Sequence, residues 1–147
     1  MRLLLLSFYL LFASFELFAQ TGLVSAEEKV TYYFPNGSIS SQGWMKEGQA
    51  VGHWKNFNED GSLKSEGNKK NGLTDSTWVF YGTNGKPRTE IEYNAGKKNG
   101  IRKQYSENGK LSSSETFKAD IKQGWSSQFY ESGQEHFRIF FKEGKES

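Results

Sequence analysis

Hydrophobic and polar residues alternate along most of this chain, and short polar stretches containing glycine interrupt the alternation roughly every dozen residues. Alternation with a period of two is typical of half-buried β-strands, whereas glycine at such short intervals would break any helix. The pattern therefore predicts short strands joined by tight turns, and we expect an all-β fold over residues 30–147.

The whole pattern repeats every 24 residues. Turn glycines recur with this step at Gly37, Gly61, Gly85, Gly109 and Gly133. Aromatic residues follow in phase at Tyr33, Phe57, Tyr81, Tyr105 and Phe129. Two more glycine series keep the step, one with Asp120 and the other with Ser76 in its single gap. A period of this length is typical of a repeat array, and it accommodates two strands of ~6–7 residues with two short turns.

Four of the five turn glycines follow Asn or Asp, as in Asn36-Gly37 and Asp60-Gly61. These dipeptides tolerate positive φ at both centres of a two-residue hairpin turn, so we expect such turns here. One hairpin per period predicts about five stacked antiparallel hairpins. Together they should form one elongated, twisted meander sheet of about ten strands.

Side-chain parity indicates which face of this sheet is apolar. Odd positions hold the aromatic series and, in the second strand of each unit, residues such as Leu63, Leu111, Met45 and Phe117. Even positions are mostly charged or polar, such as Glu66. We expect the odd residues of both strands to line one buried face. That face must then be covered by curling of the sheet, by the N-terminal linker or by a partner chain.

Three tryptophans occupy even positions, and Trp54 and Trp78 are one period apart. Outward aromatic rows suit sugar rings, quaternary amines or partner side chains. Trp44, Trp54 and Trp78 are therefore the candidate ligand- or partner-binding residues. The alternative is that both faces of a curved sheet are partly covered and these tryptophans are packed.

The final unit is unusually apolar, with Phe137, Ile139, Phe140 and Phe141 close together. Terminal units of arrays are commonly atypical because they must end the sheet. We interpret this unit as a cap. The alternative is an exposed contact site at the edge of the sheet, formed by an outward Phe140.

Residues 1–19 combine Arg2 with an apolar run that ends at Ala19. This pattern predicts a secretory signal peptide, cleaved after Ala19 or, at a second small-residue site, after Ala26. The alternative is a retained membrane anchor, although Glu16 leaves fewer apolar residues than a ~20-residue span needs. Residues 20–29 should form a linker, and the protein should be periplasmic, surface-bound or secreted.

Composition excludes several classes of function. The chain has no cysteine, so it has neither disulfides nor thiolate sites, and its net charge of +2 is too small for a nucleic-acid binder. His53 and His136 lie far apart, and no nucleophile elbow or phosphate loop is present. We expect no enzyme, no metal and no cofactor.

The segments HWKNFNEDGSLKSEGNKKNG (53–72) and YSENGKLSSSETFKAD (105–120) resemble the bacterial variant of the MORN repeat. The resemblance covers residues 30–146 and implies stacked antiparallel hairpins without catalytic residues. Bacterial relatives are often labelled as antitoxin components of toxin–antitoxin systems, and others are exported proteins of undefined role. Eukaryotic members have been linked to membranes and to scaffolding.

We therefore expect an exported, non-enzymatic repeat protein whose long surface binds another protein. Glycan or lipid-headgroup binding through surface aromatics is one alternative, and antitoxin-like neutralisation of a partner is another.

Overall fold

The computed structural model describes residues 25–147, so the expected signal peptide, residues 1–19, lies outside the described residues. β1 begins at Glu28, within the segment expected to be a linker. The strands are β1 Glu28–Tyr33, β2 Ile39–Lys46, β3 Gln49–Phe57, β4 Leu63–Lys70, β5 Leu73–Tyr81, β6 Pro87–Asn94, β7 Lys97–Tyr105, β8 Leu111–Lys118, β9 Ile121–Phe129, β10 Glu135–Lys142 and β11 Lys145–Glu146. They form one open antiparallel sheet in sequence order, which confirms the predicted hairpin array.

Two kinds of turn alternate along the sheet, at the places that the sequence predicted, but the turns at the Asn-Gly and Asp-Gly pairs are of a different kind. At Asn36-Gly37 the chain makes a five-residue loop in which only Gly37 has a positive φ, of 86°. The amide of Gly37 donates to the carbonyl of Phe34 at 2.9 Å, and the Asn36 side chain accepts from the Ser38 amide at 2.9 Å. This is a β-turn whose Asn side chain hydrogen-bonds the backbone two residues further on. The expectation of two-residue turns at the Asn-Gly and Asp-Gly pairs is therefore wrong.

The two-residue turns belong to the second glycine series instead. Glu47 and Gly48 have φ of 51° and 74°, and both residues of each equivalent turn also lie in the left-handed region. These are the backbone angles of a type I′ hairpin turn. Where Asp120 stands in place of the glycine of this series, Ala119 and Asp120 adopt φ of 50° and 71°.

The third glycine series marks bulges within the strands. Gln42 pairs with Lys55 and Trp44 with Val51, so Gly43 of β2 faces three residues of β3. Gly52 is one of these three residues of β3 and has a φ of 63°. Ser76 takes a φ of 58° at the equivalent place in β5, which explains why it can fill the gap in the series. Bulges of this kind leave local backbone groups unpaired and shift the alternation of side chains.

Directly paired residues of neighbouring strands share a face, so the register divides the side chains between two faces. The tryptophan face contains a central row with one residue from each of β1 to β10: Val30, Gly43, Trp54, Gly67, Trp78, Ile91, Arg102, Glu115, Ser126 and Ile139. The opposite face, which we call the tyrosine face, contains Glu66, Tyr81, Glu90 and Tyr105.

The predicted single apolar face is therefore wrong. The Phe57 series lies on the tyrosine face, whereas Phe117 lies on the tryptophan face with Glu115. The cause is an irregularity beside each five-residue loop, where Phe57 pairs with Leu63 although Asn56 pairs with Ser65. The second strand therefore has one extra residue at this point. The odd residues before it lie on the face opposite the odd residues after it.

The sheet is a single layer within residues 25–147. Its buried apolar side chains are Trp54, Trp78 and Phe117, and no described side chain is less than 2% exposed. Each face is partly covered by its own long side chains, as the alternative interpretation of the tryptophans required.

Candidate interaction surfaces

Trp54 and Trp78 are packed against glycines of the preceding strands. The Trp54 ring lies directly over Gly43, and a Cβ on Gly67 would be 2.5 Å from Cγ of Trp78. The two side chains are only 5% and 4% exposed. Of the two interpretations of this pair, the exposed row is therefore wrong and the packed arrangement is confirmed. Whether either residue binds a ligand stays a prediction.

The polar edges of both indoles are satisfied by the backbone. Trp54 Nε1 donates to the Val51 carbonyl at 3.1 Å, and Trp78 Nε1 donates to the Asn68 carbonyl at 2.8 Å. Both acceptors lie beside a bulge, where the regular ladder is interrupted. Tyr32 stacks on Trp54 with 6.4 Å between ring centroids. Anchored and stacked in this way, the indoles have the environment of core residues.

Charged residues replace this packing further along the central row. Arg102 donates to Glu115 at 3.1 Å, and Lys122 approaches the other oxygen of Glu115 at 2.6 Å. The Glu115 side chain is 14% exposed, so its two cations offset much of the cost of removing the carboxylate from water. Arg102 Nε is buried and has no partner within the described residues.

A second carboxylate cluster lies on the tyrosine face around Glu66. One oxygen of Glu66 accepts from the Tyr81 hydroxyl at 2.6 Å, and the other lies 3.0 Å from His53 Nε2 and 3.4 Å from Lys55 Nζ. These contacts, with the Tyr81 bond the largest, lower the pKa of Glu66. The same bond, aided by burial, raises the pKa of Tyr81 to about 12.

These shifts keep Glu66 ionised and Tyr81 neutral at physiological pH. A general acid or base would need the opposite arrangement, with a pKa moved towards neutrality. The cluster therefore holds β3, β4 and β5 together, as a cross-strand network does. One unit later, burial and a hydrogen bond to Glu90 raise the pKa of Tyr105 in the same way.

Trp44 is the one candidate tryptophan with an accessible ring, at 40% exposure. It lies on the tyrosine face, paired with Lys29 and Val51. A shallow depression of about 140 Å³ beside it is lined by Lys29, Gln42, Gly43, Trp44, His53 and Lys55. The depression combines an aromatic surface with two lysines, a histidine and a glutamine.

Exposed aromatic residues also concentrate at the two ends of the sheet. Tyr32 and Tyr33 of β1 are 49% and 63% exposed. At the other end, Trp125 is 51% exposed, with Arg138 over its ring at 4.4 Å and Phe140 in edge contact at 5.1 Å. Phe140 is therefore half-buried against Trp125, as in the cap interpretation, although its neighbours leave much aromatic surface accessible.

The part of the chain from residue 25 onward holds no group of three or more His, Asp or Glu side chains arranged to bind a metal ion. Among these residues there is also no helix long and apolar enough to span a membrane. Two open grooves lie between consecutive two-residue turns, one beside Leu73 and the other, 48 residues later, beside Ile121.

The family model described as the MORN repeat variant matches residues 50–71 and 98–119. The two matches start 48 residues apart, or two periods, and each covers a two-strand segment that begins in a first strand. MORN repeats are commonly modules that bind proteins or membranes, and the family is not enzymatic in general. Comparison with curated proteins gave no significant match.

Proposed function

We propose that this chain is an exported, non-enzymatic repeat protein that binds another protein through the tyrosine face of its first two units. The supporting observation is Trp44, an accessible indole surrounded by long polar side chains on the face of the sheet. Tryptophan is enriched among the residues that dominate binding energy at protein interfaces. The two MORN-variant matches point to the same class of function.

The test is co-purification from the envelope fraction of the host, with the tagged chain expressed from its full-length sequence. We expect one stoichiometric protein to be recovered with the unaltered chain and lost with Trp44→Ala. Trp125→Ala is the matched control, because Trp125 is similarly exposed on the same face but at the other end of the sheet. Equal recovery with both variants would contradict the assignment to Trp44. A toxin as the recovered protein would support the antitoxin-like form of this function.

A second candidate function is binding of an acidic glycan or an anionic lipid headgroup at the same place. Lys29 and Lys55 beside Trp44 favour it, because they combine positive charge with an aromatic platform. Retention on anionic vesicles that falls with salt and with Trp44→Ala, together with an empty co-purification, would select this candidate.

Export is part of the proposal and rests on the sequence of residues 1–19. Mass spectrometry of the chain isolated from its host should find a new N-terminus after Ala19 or after Ala26. Recovery of an intact N-terminus from the cytoplasm would contradict it.

A further inference from the structure

The first and last strands of this sheet, β1 and β11, are shorter than the first strands of the internal units and occupy complementary positions. The first strand of an internal unit has nine positions, as in β3, β5, β7 and β9. β1 lies 24 residues before the last six positions of β3, so it fills positions four to nine. β11 lies 96 residues after the first two positions of β3, so it fills only positions one and two. If β11 of one chain were followed by β1 of another, the two strands would together fill every position of a first strand except position three.

Ser147 occupies position three and extends the pairing of β11. The Ser147 amide donates to the carbonyl of Phe140 at 3.0 Å. Within the described residues, the outer edge of β10 from Glu135 to Ile139 has no further partner. Alternate residues of an antiparallel strand direct their backbone groups to the same side, so the N–H and C=O of Arg138 also face this open edge.

We propose that β1 of a second copy pairs with the open edge of β10, so that the sheet continues from one chain into the next. The register follows from β4 and β5, where Ser65, Glu66 and Gly67 pair with Phe80, Val79 and Trp78. The equivalent residues lie whole multiples of 24 positions away along the chain. In the proposed contact, Phe137, Arg138 and Ile139 of one copy therefore pair with three residues of the second copy, in this order: Tyr32, Thr31 and Val30.

The side chains at the two edges suit this pairing. Phe137 and Tyr32 are 40% and 49% exposed aromatics, and Ile139 would meet Val30, another β-branched residue. Aromatic and β-branched cross-strand pairs stabilise sheets by ~0.2–1 kcal/mol each. Tyr33 is 63% exposed, whereas its counterpart Phe57 is half-buried between two strands. In the proposed contact, β10 of the other copy would lie beside Tyr33 as its second neighbouring strand.

The contact joins different surfaces of the two copies, so among residues 25–147 of each copy it leaves the edge of β1 unpaired at one end and the edge of β10 unpaired at the other. Such a heterologous contact extends into chains and does not close as a dimer. Sedimentation of the purified full-length protein should therefore show a mass that rises with concentration without a plateau at two copies. A monomer at every concentration up to the solubility limit would overturn the proposal.

Cysteine cross-linking tests the register, because the chain has no cysteine of its own. A chain carrying Tyr32→Cys is mixed with one carrying Phe137→Cys and treated with a short bis-maleimide. We expect a cross-linked pair between the two variants. Tyr33→Cys is the matched control, since Tyr33 is adjacent and exposed but lies on the other face. Equal cross-linking of the control, or cross-linking of Tyr32→Cys only with itself, would overturn the register.

A second variant removes the contact while keeping the fold. The Thr31 amide faces outward by the same alternation, so Thr31→Pro removes a donor that the sheet itself does not use. We expect Thr31→Pro to lose all species larger than the monomer, with an unchanged circular dichroism spectrum, and Thr31→Ala to keep them. Larger species that persist in folded Thr31→Pro would contradict pairing through β1.

Discussion

The central row of the tryptophan face uses two chemistries at equivalent backbone positions. In its first half, Trp54 and Trp78 cover Gly43 and Gly67, which provide the space for an indole. In its second half, Ile91 precedes Arg102 and Glu115 precedes Ser126 at the same spacing of 11 residues. In this row each tryptophan is thus found where the preceding strand offers a glycine. The repeated 24-residue unit thus gives the same backbone in both halves. The side chain at each position of the row depends on the residue that pairs with it in the preceding strand.

The two halves should consequently differ in their contribution to stability. Burying an indole removes a large apolar surface from water, whereas the ion pairs of Arg102, Glu115 and Lys122 remain between 14% and 36% exposed on their side chains. We expect the first half to be the more stable region of the sheet.

The largest effect is expected for Trp78→Ala. This substitution empties the site above Gly67 and should lower the free energy of unfolding by ~3–5 kcal/mol. Ser126→Ala, at the equivalent position two units later, should change it by less than ~0.5 kcal/mol. Urea unfolding followed by circular dichroism measures both. Similar costs for the two variants would show that the halves do not differ.

The next largest effect is expected when the glycine–tryptophan pair is introduced into the second half of the row. Arg102→Trp alone should be destabilising, because the new indole would collide with Ile91 and Glu115 would lose a partner. Combining it with Ile91→Gly recreates the Gly67–Trp78 arrangement one unit later. A double-mutant cycle should give a favourable coupling of ~1–3 kcal/mol. Additive effects would contradict the pairing of the two positions.

Glu115→Gln should weaken only the ionic half. Loss of both charged contacts should cost ~1–2 kcal/mol at low ionic strength, below the value for a fully buried charge because the cluster is partly solvated. Added salt should reduce the difference from the unaltered protein. Glu107→Gln, in an exposed loop, serves as the control and should have no measurable effect.

The smallest effect concerns the tyrosine face. The lowered pKa of Glu66 means that its ionised form is favoured in the folded state. Its contribution is present above the ordinary glutamate pKa, ~4.3, and is lost as pH falls through the lower folded value. Glu66→Gln should cost under ~1 kcal/mol at neutral pH. The difference from the unaltered protein should disappear in acid.

Tyr81 gives a spectroscopic readout of the same contact. Its pKa of about 12 means that its contribution is present below the ordinary tyrosine value and is lost as pH rises through the folded one. In Glu66→Gln, absorbance titration should show one tyrosine moving down towards ~10. An unchanged titration would contradict the assigned hydrogen bond.

The sequence was sufficient for the repeat, the hairpins and the places where turns occur, because glycine and aromatic spacing reflect backbone geometry directly. It was insufficient for the facing of side chains, because simple alternation assumes continuous strands. The irregularity opposite Phe57 and the bulge at Gly52 each shift that alternation. Parity therefore placed Phe57 and Phe117 on one face, although they lie on opposite ones.

The burial of the tryptophans could have been predicted from one overlooked pattern. Gly43 and Gly67 belong to none of the three turn or bulge series, and each precedes a tryptophan by 11 residues. A glycine inside a strand commonly marks a close approach. The Glu66–Tyr81 contact could not be found in this way, because it depends on the register between β4 and β5.

Native-state hydrogen exchange, measured residue by residue, tests most directly whether packing of indoles on glycines forms the core of this sheet. We expect the slowest exchange in β3, β4 and β5, around Trp54 and Trp78, with protection decreasing through β7 to β10. Uniform protection across the ten long strands, or slowest exchange around Arg102 and Glu115, would contradict this expectation.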